Sequence, residues 1–336
     1  MSIQPTTTAD QVRPVRGRWG RSLLTAALTL TVCAAMTGFG LAPAHADTSS
    51  TTITIGGTPQ QLKITPDGAQ AYVTNRASGT VSVVAVSTGT ITKTITVGDD
   101  PVGVRFTPDG TQAYVTNRGN GTVSVIAVST GTVTKTIPVG RSPYDVAVSP
   151  DGTQAYVPNF NDDTVSVIKV STGTVVKTIP VGAYPAEVTF SKNGAVAGVT
   201  NYYGGSVSVI KVSTGTVAGT ITVGAYPVGV AVSPDGTQAY VANSGSNSVS
   251  VINMGNAKVV ATIPVGNTPY DIAFSPTSDN AYVTNFSGAS VSVIKVSTGT
   301  VTSTVNVGGN PWGVAFTPDG AHAYVANSSN AVVITS

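Results

Sequence analysis

The chain contains one sequence unit that recurs at a constant spacing. Its most recognisable part is a four-residue word, Tyr-Val-Thr-Asn, present at Tyr72–Asn75 and again at Tyr114–Asn117. The asparagine that closes the word occurs seven times, always 42 residues apart: Asn75, Asn117, Asn159, Asn201, Asn243, Asn285 and Asn327. A period of about 40 to 45 residues is typical of four-stranded propeller blades, and seven is within the usual number of blades. A solenoid of stacked repeats is the alternative architecture.

Each unit is predicted to form four short β-strands. The first precedes a Pro-Asp-Gly turn, as in "PVGVRFTPDG", where proline fixes φ and glycine accepts the positive φ that closes the hairpin. The second strand is "QAYVTN", the third is similar to "TVSVIKV" and ends at "STGT", and the fourth is similar to "TKTIPVG". Valine, isoleucine, threonine and tyrosine dominate, as in pleated strands, so the pattern predicts an all-β chain.

The two ends of the repeat region complement each other. The segment "TITIG" (Thr52–Gly56) matches a fourth strand such as "TIPVG" (Thr136–Gly140), yet it precedes any first strand. The last unit supplies only strands one to three before the chain stops. We therefore expect the N-terminal strand to pair with the C-terminal blade, because this closes the ring and removes two exposed sheet edges.

The recurring "SPDGTQAYVTN…GTVSVI…STGTV…TIPVG" unit resembles the YVTN-family β-propeller repeat of microbial surface-layer and secreted proteins. The resemblance covers residues 52–336. It implies a seven-bladed propeller with four-stranded antiparallel blades, and a place outside the cell or on its envelope. It implies little about activity, because propellers have binding, structural and enzymatic roles.

The repeated word is predicted to serve the fold. If each blade buries both faces against its neighbours, each blade needs the same apolar pattern. We expect the word's tyrosines to pack between blades with their hydroxyls near a blade edge: Tyr72, Tyr114, Tyr156, Tyr240, Tyr282 and Tyr324. The repeated asparagine is expected to form the turn at the strand end.

Residues 1–46 have the order of a secretory signal peptide. Four arginines precede an apolar run, Ser22–Ala42, and Ala44 and Ala46 occupy small-residue cleavage positions. Residues 47–51 would then be a short linker before the propeller at 52–336. Two alternatives are an uncleaved membrane anchor formed by the apolar run and lipid attachment at Cys33. With cleavage, no stable membrane insertion is expected.

Removal of this leader changes the charge of the chain. It takes four arginines and one aspartate from 17 basic and 15 acidic side chains, which leaves 13 and 14 and a formal net charge of −1. A near-neutral chain lacks the cationic field that nucleic-acid binding requires. The remaining chain has no cysteine, so disulfides and thiolate chemistry are excluded from it.

The copies of the unit differ mainly at one end of the blades. The links into strand one and between strands two and three vary, whereas the hairpins at the opposite end are nearly constant. Since strand one lines the channel of a propeller, the variable links are predicted to surround one channel mouth. The candidate ligand-binding residues there are Tyr144, Tyr184, Tyr226, Tyr270 and Trp312, with Asp99, Asp100, Asp145, Glu187 and Asp271.

Aromatic rings beside carboxylates suit stacking on sugars or holding a cation. Trp312 and Tyr270 are predicted to form the stacking wall of this site. The alternative is a solvated loop face that varies because nothing constrains it. The expected partners are a glycan, a cell-wall polymer or a protein, bound by a monomer.

Catalytic chemistry has few candidates in this sequence. The two histidines are His45, in the leader, and His322, beside the last Pro-Asp-Gly turn at the constant end. No histidine-based catalytic or metal site is therefore expected at the mouth, and no cofactor is expected. The adjacent acids Asp99–Asp100 and Asp162–Asp163 are Ca²⁺ candidates, although such pairs are more often solvated. A secreted binding scaffold is the favoured function, and a lyase or hydrolase using mouth carboxylates is the alternative.

The leader pattern makes a direct prediction about processing. We expect the protein recovered from culture medium to begin at Asp47, because cleavage follows the small residue Ala46. N-terminal sequencing measures this. A chain that begins at Met1 in the membrane fraction would contradict the prediction.

Overall fold

The computed structural model describes residues 50–328 and 330–335. These residues form seven four-stranded antiparallel sheets, each a blade of a propeller. Within every blade the strands follow one another in chain order, apart from the blade that contains the N-terminal strand. The predicted seven-bladed all-β propeller is confirmed. The predicted leader, with the residues before Ser50, lies outside the described residues.

The strands of the first four blades have the following bounds. The first blade consists of β2 (Pro59–Ile64), β3 (Gln70–Asn75), β4 (Thr80–Ala85) and β5 (Thr90–Thr96). The second consists of β6 (Pro101–Phe106), β7 (Gln112–Asn117), β8 (Thr122–Ala127) and β9 (Thr132–Pro138). The third consists of β10 (Ala147–Val148), β11 (Gln154–Asn159), β12 (Thr164–Lys169) and β13 (Thr174–Pro180). The fourth consists of β14 (Pro185–Phe190), β15 (Val196–Asn201), β16 (Ser206–Lys211) and β17 (Thr216–Thr222).

The remaining blades repeat the pattern. The fifth consists of β18 (Pro227–Val232), β19 (Gln238–Asn243), β20 (Ser248–Asn253) and β21 (Lys258–Pro264). The sixth consists of β22 (Pro269–Phe274), β23 (Asn280–Asn285), β24 (Ser290–Lys295) and β25 (Thr300–Asn306). The seventh consists of β26 (Pro311–Phe316), β27 (His322–Asn327), β28 (Asn330–Thr335) and β1 (Ser50–Thr54). A 3₁₀ turn, Arg76–Ser78, follows β3. In the described part of the chain, no helix has the length and apolar character needed to span a membrane.

The first strands of the blades lie at the centre of the ring. Each contacts the first strand of the next blade, from β2 against β6 through to β26 against β2. The hairpins that join strands one to two and three to four, such as 108–110 and 129–131, form one end, here called the turn face. The links into strand one and between strands two and three, such as 98–100 and 118–121, form the opposite end, here called the loop face.

The ring is closed by the N-terminal strand. Strand β1 pairs antiparallel with β28, so that Ile53 lies opposite Ala331. This confirms the predicted closure, but the strand begins at Ser50 and ends at Thr54 instead of spanning Thr52–Gly56. It ends earlier because Gly56 and Gly57 have φ angles of 73° and 74°, which no strand residue adopts.

The tyrosines of the repeated word pack between blades, as predicted. The ring of Tyr72 lies edge-on against Phe106 of the next blade, with ring centroids 5.0 Å apart. The pairs Tyr156–Phe190, Tyr240–Phe274 and Tyr282–Phe316 repeat this geometry at 4.7 to 4.9 Å. Edge-to-face aromatic pairs add stabilisation beyond their buried area.

The threonine of the word also connects neighbouring blades. The hydroxyl of Thr74 donates to the carbonyl oxygen of Val102 in the next blade, at 2.8 Å, and accepts from the N–H of Gln61 in its own blade. Thr116, Thr200 and Thr284 make the same donation to the next blade. In the first, second and sixth blades, where tyrosine and threonine are both present, the word therefore stabilises the interface through one apolar and one polar side chain.

The asparagine of the word has a different role from the predicted turn former. Asn117 is buried, and its Nδ2 donates to Thr122 and Ser124 on the next strand, at 3.0 and 2.9 Å. Its Oδ1 accepts from the N–H of Gly98, in the link that enters the blade. The side chain thus fastens the link to the sheet, because a buried amide needs partners for both of its ends.

The closing strand should contribute strongly to stability. We compare a chain lacking residues 1–54 with a chain lacking only residues 1–49. We expect the shorter chain to melt at least about 5 °C lower, because it loses a ladder of hydrogen bonds worth about 0.5–1.5 kcal/mol each. Equal melting temperatures in a calorimetric scan would show that β1 contributes nothing to the ring.

Candidate functional site

The channel mouth on the loop face encloses only a small cavity. Its volume is about 10 Å³, on the order of the space that one water molecule requires. The residues that surround it are Gln60, Gln61, Val102, Tyr144, Asp145, Glu187, Tyr270, Asp271, Trp312 and Gly313. The structure therefore brings six of the ten predicted site residues together, but around a nearly filled space. Their role in binding stays a prediction.

The acidic residues of the mouth bind the backbone of neighbouring blades. Glu187 Oε2 accepts a hydrogen bond from the N–H of Val230 at 3.2 Å, and Asp271 Oδ2 accepts one from Val314 at 2.9 Å. A weaker contact of 3.4 Å joins Asp145 to the N–H of Val188. All three side chains are buried. Each of these carboxylates joins its own blade to the next.

The equivalent positions in the other blades hold glutamine or glycine. Gln61 Oε1 accepts from the N–H of Val104 at 2.9 Å, which repeats the carboxylate contact without a charge. At Gly103 a Cβ atom would lie 2.8 Å from the Cα atom of Asp145, so a side chain would force the two first strands apart. Gly229 and Gly313 are equally confined by the following blade. Close packing at the centre thus requires glycine wherever no polar contact is made.

Two basic side chains partly balance the buried acids. Lys63 Nζ lies 3.6 Å from Asp271 Oδ2, and Arg105 Nη2 lies 3.6 Å from Asp145 Oδ2. Burial raises the pKa of Glu187 well above its usual range, and the negative charges of Asp271 and Asp145 raise it further. Lys63 and Arg105 lower this pKa but to a smaller extent. Burial also raises the pKa of Asp145, which the neighbouring Arg105 opposes.

Tyr270 and Trp312 pack on each other. Their ring centroids are 4.7 Å apart at an angle of 90°, and Phe286 lies 4.4 Å from Trp312. Both predicted wall residues belong to first strands, β22 and β26, and are half-buried. The two rings thus pack against each other beside the small mouth cavity, and their role as a stacking wall stays a prediction.

A larger aromatic surface lies on the loop face of blades three to five. It is here called the aromatic patch and consists of Tyr144, Phe160, Tyr184, Tyr202, Tyr203 and Tyr226. Neighbouring rings contact one another with centroids 4.8 to 6.0 Å apart. Tyr184, Tyr203 and Tyr226 are 39%, 62% and 43% exposed, which is unusual for large side chains in such close contact.

Two further predicted residues, Asp99 and Asp100, do not line the mouth cavity. Asp100 pairs with Arg76, whose Nε is 2.5 Å from Oδ1, and with Arg118 at 4.0 Å. Asp99 is exposed and accepts a hydrogen bond from Asn120 at 2.8 Å. The guanidinium of Arg118 also lies 5.8 Å from the centre of the Tyr144 ring. Asp100 therefore forms ion pairs with two arginines, and one of them, Arg118, lies at the edge of the aromatic patch.

The described residues contain little that suits metal or histidine chemistry. Within 50–328 and 330–335, no group of three or more histidine, cysteine, aspartate or glutamate side chains is arranged to hold a metal ion. The backbone N–H of His322 donates to Thr317 beside the last turn, so His322 lies on the turn face as predicted. Asp162, a Ca²⁺ candidate, pairs with Arg141 at 2.5 Å.

Sequence reasoning missed half of the aromatic patch. Phe160, Tyr202 and Tyr203, with Phe286 of the mouth, all lie in the links between strands two and three. These links were recognised as variable, and counting their aromatic residues would have identified the patch. The buried role of Gln61 had no comparable signal, because one glutamine in a strand is unremarkable.

The chain has detectable similarity to known propellers. A family model described as "Lactonase, 7-bladed beta-propeller" matches residues 88–178 and 213–316, more than half of the chain. Among solved structures, a chain from the Kuenenia stuttgartiensis hydrazine synthase is similar, with a TM-score of 0.77 and 24% identity over 84% of this chain and 97% of that chain. At this identity the likeness concerns the fold alone. No curated protein matches the chain.

The raised pKa of Glu187 predicts a pH-dependent effect of Glu187→Gln. A carboxyl whose pKa is higher in the folded state favours folding at low pH, and this contribution falls as the pH rises above about 4.3, the ordinary value for glutamate. Glutamine does not ionise, so the stability of the variant does not fall in this way as the pH rises. We therefore expect it to melt above the native protein at pH 8 and the difference to shrink towards pH 4. Thermal melts across this range provide the measurement.

Asp99→Asn is the matched control, because this carboxylate is exposed. It should show no comparable gain at pH 8. If Glu187→Gln is destabilising at every pH, the glutamate is ionised in the folded protein and required as an anion.

Proposed function

The chain belongs to the lactonase family of seven-bladed β-propellers, and we propose that this member is a non-enzymatic glycan-binding protein acting outside the cell. The observation that carries the proposal is the aromatic patch on the loop face. Three tyrosines in mutual contact remain substantially exposed there. Tyrosine combines an apolar ring with a hydrogen-bonding hydroxyl, which suits the apolar faces and hydroxyl groups of sugars.

The position of the patch supports binding of an extended ligand. Tyr184 and Tyr226 belong to the links that enter the fourth and fifth blades, and Tyr203 lies between them. The three rings therefore extend along the rim of the loop face, away from the nearly filled channel mouth. A polymer with a repeating ring can contact several of them at once, so a cell-wall glycan is a better match than a small ligand held in the channel.

The leader predicted in residues 1–46 supports export, and the resemblance to YVTN repeats supports a role at the cell envelope. The near-neutral charge expected after cleavage argues against nucleic-acid binding. Within this proposal the protein acts as a monomer, because the loop face of one ring already contains the complete patch.

Hydrolysis of a lactone is the second candidate, and the family match favours it. The mouth has two carboxyl groups of raised pKa, Asp145 and Glu187. A raised pKa suits a general acid. However, both groups contact the backbone of the next blade, and the cavity between them holds on the order of one water molecule. Binding at the aromatic patch is therefore favoured over catalysis at the mouth.

A direct test uses two probes: insoluble peptidoglycan and the soluble hexamer of β-1,4-linked N-acetylglucosamine. We expect the native protein to sediment with peptidoglycan and to bind the hexamer in calorimetric titration. Tyr203→Ala combined with Tyr226→Ala should weaken binding at least about tenfold, because an aromatic anchor typically contributes 1–3 kcal/mol or more. Melting temperature should change little, since both rings are substantially exposed.

Val176→Ala combined with Val260→Ala is the matched control. Both valines are exposed, at 57% and 56%, but lie on outer strands away from the patch. Equal binding by the tyrosine and valine variants would refute the role of the patch. Hydrolysis of γ- or δ-lactones by the native protein that is abolished by Glu187→Gln would instead favour the second candidate.

A further inference from the structure

One blade lacks the tyrosine of the repeated word. Six copies have tyrosine at this position, and the fourth blade has Gly198 in the sequence "AGVTN". The apolar cluster between the fourth and fifth blades is correspondingly small. Its fully buried members are Val207, Val230, Ala239, Val241 and Ile252, whereas each of the other six clusters has eight or more among the described residues.

The missing ring leaves an apolar cavity of about 40 Å³ between these blades. Its walls include Val209 and Ile221 from the fourth blade and Val230, Val232 and Ile252 from the fifth. Val209 and Ile221 are half-buried, whereas the equivalent valines and isoleucines of blades one, two, three and five are buried. The cavity is therefore accessible from solvent.

The equivalent interface between the seventh and first blades shows what the cavity would accommodate. There the Tyr324 ring packs in one cluster with Leu62, Ala71 and Val84. The matching residues of the fifth blade, Val230, Ala239 and Ile252, line the cavity. The Tyr324 hydroxyl donates to the carbonyl oxygen of Val86 at 3.3 Å. The residue that matches Val86 is Met254.

The cavity opens towards the turn face. It shares Ser191, Val196 and Met254 with a surface cleft of about 830 Å³. The equivalent cleft between the second and third blades has only about 340 Å³. A volume of 300–1,000 Å³ is typical of small-molecule sites. The cleft also has a charged side chain, Lys192, where its equivalent has Pro108.

Met254 stands at the boundary between cavity and cleft. Five of the other blades have valine at this position: Val86, Val128, Val170, Val212 and Val296. The longer methionine takes up part of the space that the missing ring leaves, which explains why the cavity is smaller than a tyrosine side chain. Methionine has three rotatable bonds and adapts readily to a bound group.

We propose that this space is a binding site for the phenolic ring of a small molecule. The ring occupies the position of the missing tyrosine, between Val209 and Ile221 on one side and Val232 on the other. Its hydroxyl donates to the carbonyl oxygen of Met254, as Tyr324 does to Val86. The rest of the molecule lies in the cleft near Lys192, Asp235 and Asn253. The site is on the turn face and is independent of the aromatic patch.

The probe for this site is p-cresol, which has the atoms of a tyrosine side chain from Cβ outwards. We expect saturable binding to the native protein with a dissociation constant of about 1 mM or lower, a value reasonable for so few atoms. In methyl NMR spectra the shifts should be centred on methyl groups that line the cavity, among them those of Val209, Ile221, Val232, Ile252 and Met254. Met254→Val should tighten binding at least about threefold, because it enlarges the cavity.

Gly198→Tyr should abolish binding and raise the melting temperature, since it restores the ring of the other blades. The backbone at Gly198 is compatible, because an added Cβ meets only Val207 Cγ1 at 3.4 Å and φ is not positive. Val176→Tyr is the matched control, since Val176 is exposed on the outer strand of the third blade and lines neither the cavity nor the cleft. It should bind p-cresol like the native protein.

Absence of saturable binding to the native protein, or equal binding by Gly198→Tyr, would overturn the proposal. Methyl shifts centred on other blades would overturn it as well. The NMR measurement uses the native chain, so it decides the question even if Gly198→Tyr does not fold.

Discussion

The contact between neighbouring blades is the constraint on which the rest of the structure depends. A single four-stranded sheet of about 25 residues has two faces to bury and no helix to cover them. Each blade of this chain therefore uses the next one, through an edge-on pair such as Tyr72–Phe106 and a hydroxyl such as that of Thr74. Every blade therefore has two neighbours in the closed ring, and β1 completes the sheet of the seventh blade.

The same constraint explains the centre of the ring. First strands converge there, and their backbone N–H groups must find partners in a space that holds on the order of one water molecule. Glu187 and Asp271 provide these partners by accepting hydrogen bonds from the following blade, while Gly103 allows direct contact. The carboxylates at the mouth are thus required by the packing of the blades. Burial raises the pKa values of Glu187 and Asp145, so these raised values do not by themselves indicate catalysis.

The architecture could be predicted from the sequence because an interval of 42 residues, kept without insertion, fixes the strand count of every blade. The environment of individual side chains was harder to predict. A register shift between Pro185 and Val188 interrupts the alternation of the strand, so burial of Glu187 could not be obtained by counting. Asn117 was expected to form a turn, but its partners include Gly98, which the pairing of β6 with β7 brings near. Three of the six residues of the aromatic patch were identified from the sequence, because the links of the loop face vary between copies of the unit.

Variation is concentrated in the fourth blade, and the ring tolerates it there because each interface involves only two neighbours. This blade contributes Tyr202 and Tyr203 to the aromatic patch and, at the other end, has Gly198 and Lys192 in place of the repeated tyrosine and proline. It also accounts for most of 179–212, the segment between the two ranges matched by the family model. Gly198 and Lys192 replace residues that all six other copies keep, and both line the cavity or its cleft, so recognition explains these two replacements better than drift does.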